Sequence, residues 1–139
     1  MPAAAIALAP DLGEIWHARA DVEYSLGLIE QSLSSYRRVL DLEPENSEAW
    51  LDYGETLYEY GMLHEALSAA GRARELEPDW ADAHILYARL AFLLRSRRKG
   101  IEALQFALEH FPDLRQHIAK EFPIVRTHEA FADYPDLRQ

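Results

Sequence analysis

Residues 50–78 read WLDYGETLYEYGMLHEALSAAGRARELEP, and their reading decides the fold. Two runs with apolar or small residues at helical spacing meet at Gly61, and the second closes on Leu76, Glu77 and Pro78. Glycine supplies the backbone angles that a tight turn after a helix needs, and proline has no N–H with which to continue one. The stretch therefore predicts a helix, a turn and a second helix. Gly54 and Ala66, one small residue on each helix, allow the pair to approach closely.

Trp50, Tyr53, Gly54, Leu57, Ala66, Ala70 and Pro78 stand at the spacings of W-x2-L-G-x2-Y, A-x3-F and P. In these residues the stretch resembles a tetratricopeptide repeat (TPR), with the large residues exchanged at three places and every small position kept small. A step of 34 residues carries Trp50 back to Trp16, Gly61 to Gly27, Ala66 to Ser32 and Pro78 to Pro44. Forward, the same step carries Trp50 to His84, Gly54 to Ala88, Ala66 to Gly100 and Pro78 to Pro112. The chain divides accordingly into an N-terminal stub (1–12), repeats at 13–46, 47–80 and 81–112, and a capping segment (113–139). The resemblance covers about three quarters of the 139 residues. It implies a single all-α domain, a right-handed α-solenoid of three helix-turn-helix repeats closed by a two-helix C-terminal cap.

Local chemistry adds detail. Asp11 to Glu14, Asp79 to Asp82 and Asp113 to Gln116 read as capping boxes at helix starts. Arg19 and Glu23 fall where the first repeat is expected to bury large apolar residues, and their spacing of four lets them pair. Arg95 replaces the turn glycine of the third repeat, which predicts a looser turn or a longer first helix. Ala3 to Ala9 reads as the last turns of a preceding helix. Asp113 to Phe122 and Ile124 to Asp133 read as two short helices, with Phe111, Leu114, Ile118, Phe122, Val125 and Phe131 available to cover the end of repeat three. FPDLRQ at 111–116 nearly recurs as YPDLRQ at 134–139, read as a second helix start. Trp50 is expected to be buried, its removal costing roughly 3 to 5 kcal/mol.

The formal net charge of -10 and pI near 5.0 argue against nucleic acid or an anionic membrane as partner. With no cysteine, disulfides, thiolate metal sites and cysteine nucleophiles are excluded, and a cytoplasmic location is expected. MPAAAIALAP lacks the basic start of a signal peptide, and no stretch has the roughly 18 apolar residues of a spanning helix. The six histidines are scattered, and His117 with Glu121 supplies too few ligands for a metal. No phosphate loop or nucleophile motif is present, so no enzyme activity, cofactor or metal is expected.

The resemblance implies a concave groove lined by the first helix of each repeat. Its positions fall on Glu14, His17, Asp21 and Tyr24, then Glu48, Leu51, Glu55 and Tyr58, then Asp82, Ile85, Arg89 and Phe92. Glu14, Glu48 and Asp82, with Asp21 and Glu55, form an acidic ladder, and Tyr24, Tyr58 and Phe92 an aromatic one. The implied function is a non-catalytic protein-interaction scaffold for a basic or apolar peptide or helix of another protein. Where relatives that clamp a C-terminal carboxylate carry Lys and Asn, this chain has His17, Asp21 and Asp52, which repel a carboxylate. The basic run Arg95, Arg97, Arg98 and Lys99 lies on the third turn and is either solvated or a patch for an acidic partner or phosphate. A monomer is expected; the alternative is a structural or self-associating module, or a regulatory fragment of a longer protein, docking through the Arg19 and Glu23 face and the N-terminal stub.

Overall fold

Apolar and small residues recur at helical spacing along the chain, and helices are the only regular elements among the described residues. The computed structural model describes residues 12–138. The helices are α1 (Leu12–Ser25), α2 (Ile29–Leu42), α3 (Ser47–Tyr60), α4 (Leu63–Leu76), α5 (Ala81–Leu93), α6 (Arg97–His110) and α7 (Arg115–Glu121). The fold is all-α, of the helical-repeat class. The stub at Ala3 to Ala9 and the cap at Asp11 lie outside the described residues. No described helix is long and apolar enough to cross a membrane. The chain falls into two compact units, Met1–Ala69 and Ala70–Gln139, which divide within α4.

In the N-terminal unit, α1 packs on α2 and α2 on α3. Ala20, Ser32, Ala49 and Ala66 are fully buried, and the Ser32 hydroxyl donates to the Ala20 carbonyl at 2.9 Å, an approach that only small side chains permit. Arg19 and Glu23 do pair, at 3.5 Å, but only Arg19 is exposed. Glu23 is buried and accepts a hydrogen bond from Ser35, so a polar pair replaces an apolar contact there. Trp16 lies between two guanidinium groups, Arg19 at 5.2 Å and Arg38 at 5.4 Å from its ring. Trp50 is partly buried and donates its indole N–H to the Pro44 carbonyl at 2.8 Å. Its removal is therefore expected to cost less than the roughly 3 to 5 kcal/mol of a fully buried tryptophan.

In the C-terminal unit, α5 packs on α6, and the segment after α6 closes the core. Ile85, Leu104, Leu108, Ile118, Phe122, Val125, Phe131 and Leu137 form one apolar cluster, with Phe111 and Leu114 against it. All six residues expected to cover repeat three take part. The second expected helix, Ile124 to Asp133, is instead a chain of 3₁₀ turns at Pro123–Arg126 and Glu129–Phe131. Proline and short intervals between apolar anchors suit that tighter coil. Both copies of PDLR adopt 3₁₀ turns, Pro112–Leu114 and Pro135–Arg138, and the second buries Leu137 completely.

The helix ends correct two expectations. Neither Asp79 nor Asp113 caps a helix: the N-cap residues of α5 and α7 are Trp80 and Leu114, which make no side-chain cap bond. Asp79 sits instead in a turn closed by the Trp80 N–H on the Glu77 carbonyl at 3.1 Å. The capped start is that of α3, where Asn46 accepts from the Ala49 N–H at 3.0 Å. Nor is the turn at Arg95 loose. Gly27, Gly61 and Arg95 all take left-handed φ, 77°, 89° and 63°. Each donates to the carbonyl three residues back, while the next residue donates to the carbonyl five back: Leu28 to Glu23, Met62 to Leu57 and Ser96 to Ala91.

Candidate functional site

The first helices of the first two repeats place their polar residues on one cleft of the N-terminal unit. Its volume is about 290 Å³, and Asp21, Tyr24 and Ser25 of α1, Tyr36 of α2, and Asp52, Glu55 and Thr56 of α3 line it. His17 contacts two of these residues: Nε2 is 2.9 Å from Asp52 Oδ2 and 3.9 Å from Asp21 Oδ1. Tyr36 is held below by an edge-on contact with the His17 ring at 5.8 Å and donates its hydroxyl to Asp21 Oδ1 at 2.7 Å. Tyr24 donates to Glu59.

Electrostatic crowding marks this cleft. Burial pushes the Asp52 carboxyl above the usual carboxylate range; the neighbouring charges of Asp21 and Glu48 push the same way, and the hydrogen bond from His17 opposes them. The bond to Glu59 is the main reason that the Tyr24 phenol is raised to about 12, with burial and the charges of Glu59, Glu55 and Asp52 adding to it. Burial, then the bond to Asp21, raises Tyr36 as well. Anions thus outnumber cations here, and His17, Asp21 and Asp52 each offer an atom within 4.8 Å of the others. Such converging lone pairs suit a cation.

The expected groove residues separate on inspection. His17, Asp21, Tyr24 and Glu55 meet at the cleft. Glu14 and Glu48 are exposed outside its lining and Tyr58 is partly buried outside it. Leu51 is 4% exposed and Ile85 8%, so both belong to the core and offer little surface. In the C-terminal unit, Asp82 is exposed, Arg89 pairs with Glu121 at 2.7 Å, and Phe92 lies 6.0 Å from Phe122. Sequence reading missed Tyr36, Thr56 and Glu59. One signal would have found Glu59: facing residues of α1 and α3 differ by 35, as His17 and Asp52 do and as Tyr24 and Glu59 do.

His84 stands where the other repeats have tryptophan. It keeps the tryptophan's bond: its Nε2 donates to the Pro78 carbonyl at 2.7 Å, the counterpart of Trp50 on Pro44. Its ring stacks on Phe106 at 4.4 Å, and the buried Nδ1 has no hydrogen-bond partner.

The sequence profile of the tetratricopeptide repeat matches residues 23–90. That stretch of the chain is similar to tetratricopeptide repeats. Solved structures share the TPR fold. MamA protein is 20% identical over 90% of this chain and 70% of its own, with a TM-score of 0.74. YrrB, a TPR protein with an unusual peptide-binding site, is 26% identical over 84% of this chain and 59% of its own, with a TM-score of 0.70. The TPR2B domain of yeast Sti1, in a complex with pHsp70, is 14% identical over 90% of this chain and 91% of its own, with a TM-score of 0.64. Comparison with curated proteins gives no sequence match to this chain.

Proposed function

We propose that the chain is a non-catalytic protein-interaction module whose N-terminal unit takes a Lys or Arg side chain of a partner segment into the acidic cleft. The observation that carries this reading is the convergence of Asp21, Asp52 and Glu55 around Tyr24 and Tyr36, with His17 against Asp21 and Asp52. An ammonium or guanidinium there relieves the carboxylate crowding, and the two tyrosines supply apolar area and ring faces for the stem of the side chain. The repeat match over residues 23–90 agrees, as does the peptide-binding site of YrrB and the complexed state of the Sti1 domain.

Selection of a displayed library of random twelve-residue peptides against the full chain tests it. Sequences with Lys or Arg beside an apolar residue should be enriched, and synthetic copies should bind E55K or D21N about tenfold more weakly or worse. Binding should also fade on acidification, because Asp52 protonates at a higher pH than an ordinary carboxylate and the neutral form does not attract a cation. Enrichment without basic residues, or affinity that the two variants leave unchanged, would falsify the reading.

One observation favours a second reading. On α1, Leu12, Ile15 and Val22 are 61%, 45% and 58% exposed, their spacing places them along one stripe with Arg19, and Leu26 in the turn that follows is 69% exposed. We read this face as a docking surface for another copy or for further chain, as a self-associating or structural module would use. Sedimentation at two concentrations separates the readings, since a monomer at high concentration rules out self-association.

A further inference from the structure

The turn between α5 and α6 carries a cavity of about 480 Å³ lined by Phe92, Arg95, Arg97, Ile124 and Thr127. Its chemistry is the inverse of the acidic cleft. Phe92 and Ile124 pack against the apolar cluster of the C-terminal unit. Gly100 leaves room for the Phe92 ring, since a Cβ there would come within 2.6 Å of it. The other long side chains of the lining are guanidinium groups.

The charge of this turn departs from the rest of the molecule. Four of the 14 Lys and Arg of a chain with net charge -10 fall within Arg95 to Lys99. Arg98 pairs with Glu102 at 3.2 Å; Arg95, Arg97 and Lys99 make no ion pair among the described residues. Two local preferences are set aside to keep them there. Arg95 occupies the left-handed conformation that glycine holds in the other two turns. Helices α1 to α5 each carry an acid in the first turn, whereas α6 has Arg97, Arg98 and Lys99 at the end where the helix dipole disfavours cations.

We propose that this cavity binds an acidic segment of a partner protein in which a carboxylate adjoins an apolar side chain. The carboxylate meets the guanidinium groups of Arg95 and Arg97, whose planar forks match it, and the apolar side chain meets Phe92 and Ile124. Charge complementarity selects this occupant over a basic one. The net charge of -10 on the whole chain disfavours the extended anionic surfaces of nucleic acid and membranes, whereas a short acidic segment can meet the basic turn alone. The inference stands apart from the acidic cleft, which takes the opposite charge and shares no residue with it.

The same peptide selection, read with different variants, tests it. A second enriched class rich in Asp or Glu next to Leu, Ile or Phe is expected. Synthetic peptides of that class, followed by fluorescence anisotropy, should bind R97Q about tenfold more weakly and lose affinity as salt rises from 50 to 500 mM. R95G is the decisive variant: it should raise the thermal midpoint while weakening these peptides, which a merely structural arginine would not do. D21N and E55K should leave this class unaffected. No acidic class in the selection, affinity unchanged in the R95G/R97Q double variant, or capture of RNA or anionic vesicles in place of peptide overturns the proposal.

Discussion

The turns after α3 and after α5 are closed by the same pair of hydrogen bonds. Gly61 donates to Tyr58 and Met62 to Leu57 in one, Arg95 to Phe92 and Ser96 to Ala91 in the other. They differ in the residue that bears the left-handed backbone, φ 89° for Gly61 and 63° for Arg95. The helices around them force the conformation, and the side chain accepts it. A similar substitution separates Trp50 from His84, which make the same bond to the preceding proline carbonyl with different rings. Repeat geometry therefore tolerates changes of residue wherever the backbone bond or its side-chain equivalent is kept. What those changes alter is local energy and surface chemistry.

The sharpest difference between the two repeats lies at Gly100, whose counterpart 34 residues earlier is Ala66. Alanine is native and fully buried at 66, but at 100 its Cβ would come within 2.6 Å of the Phe92 ring. Gly100→Ala should cost about 1–3 kcal/mol in urea unfolding. Equal stability would mean that Phe92 yields freely, and the two packings would then be equivalent. Next in size, Gly61→Arg recreates the strained turn in the second repeat and should cost about 1–2 kcal/mol. The reverse change, Arg95→Gly, should stabilise by a smaller amount, about 0.5–1 kcal/mol, because glycine also gains entropy in the unfolded chain. If both changes were neutral, the left-handed turn would hold no strain for a side chain to feel.

The smallest effect is a pH dependence at His84. Burial is the main cause that lowers its pKa below 6.5, with the charges of Arg74 and His110 acting in the same direction and the bond to Pro78 opposing. The unfolded chain then holds the proton more tightly than the folded one. Stability from this group is present above pH 6.5 and declines as pH falls below it. His84→Phe should flatten this part of a plot of thermal midpoint against pH. An unchanged slope would assign the titration to another residue.

Much of this was legible along the chain. The 34-residue step located the turns at Gly27 and Gly61 and the buried Ser32, Ala66 and Ala88. It was legible because the pattern is local: residues three and four apart share a helix face whatever surrounds them. Capping was misread because Asp79 and Asp113 look like cap residues in isolation. Followed strictly, the same step leads from Asn46 to Trp80 and Leu114, the true first positions, and only Asn46 carries an oxygen that can cap. The cleft was half legible. His17, Asp21 and Asp52 stood out as charges that repel a carboxylate, yet their meeting depends on how α1 lies against α3, which no periodicity within one helix records.

The sequence by itself determined the helix pairs of the repeats, where each pair turns back and that the molecule is acidic, because propensity, spacing and charge belong to the chain. Tertiary structure alone decided that Leu51 and Ile85 are buried, that Glu23 is satisfied by Ser35 and that the last residues coil into 3₁₀ turns over Leu137. It also decided that Arg95 takes a left-handed φ and lines a cavity with Phe92 and Ile124. The reason is physical: burial and charge pairing arise between residues about 12 to 35 positions apart, and their energies depend on distances that only the packed helices set.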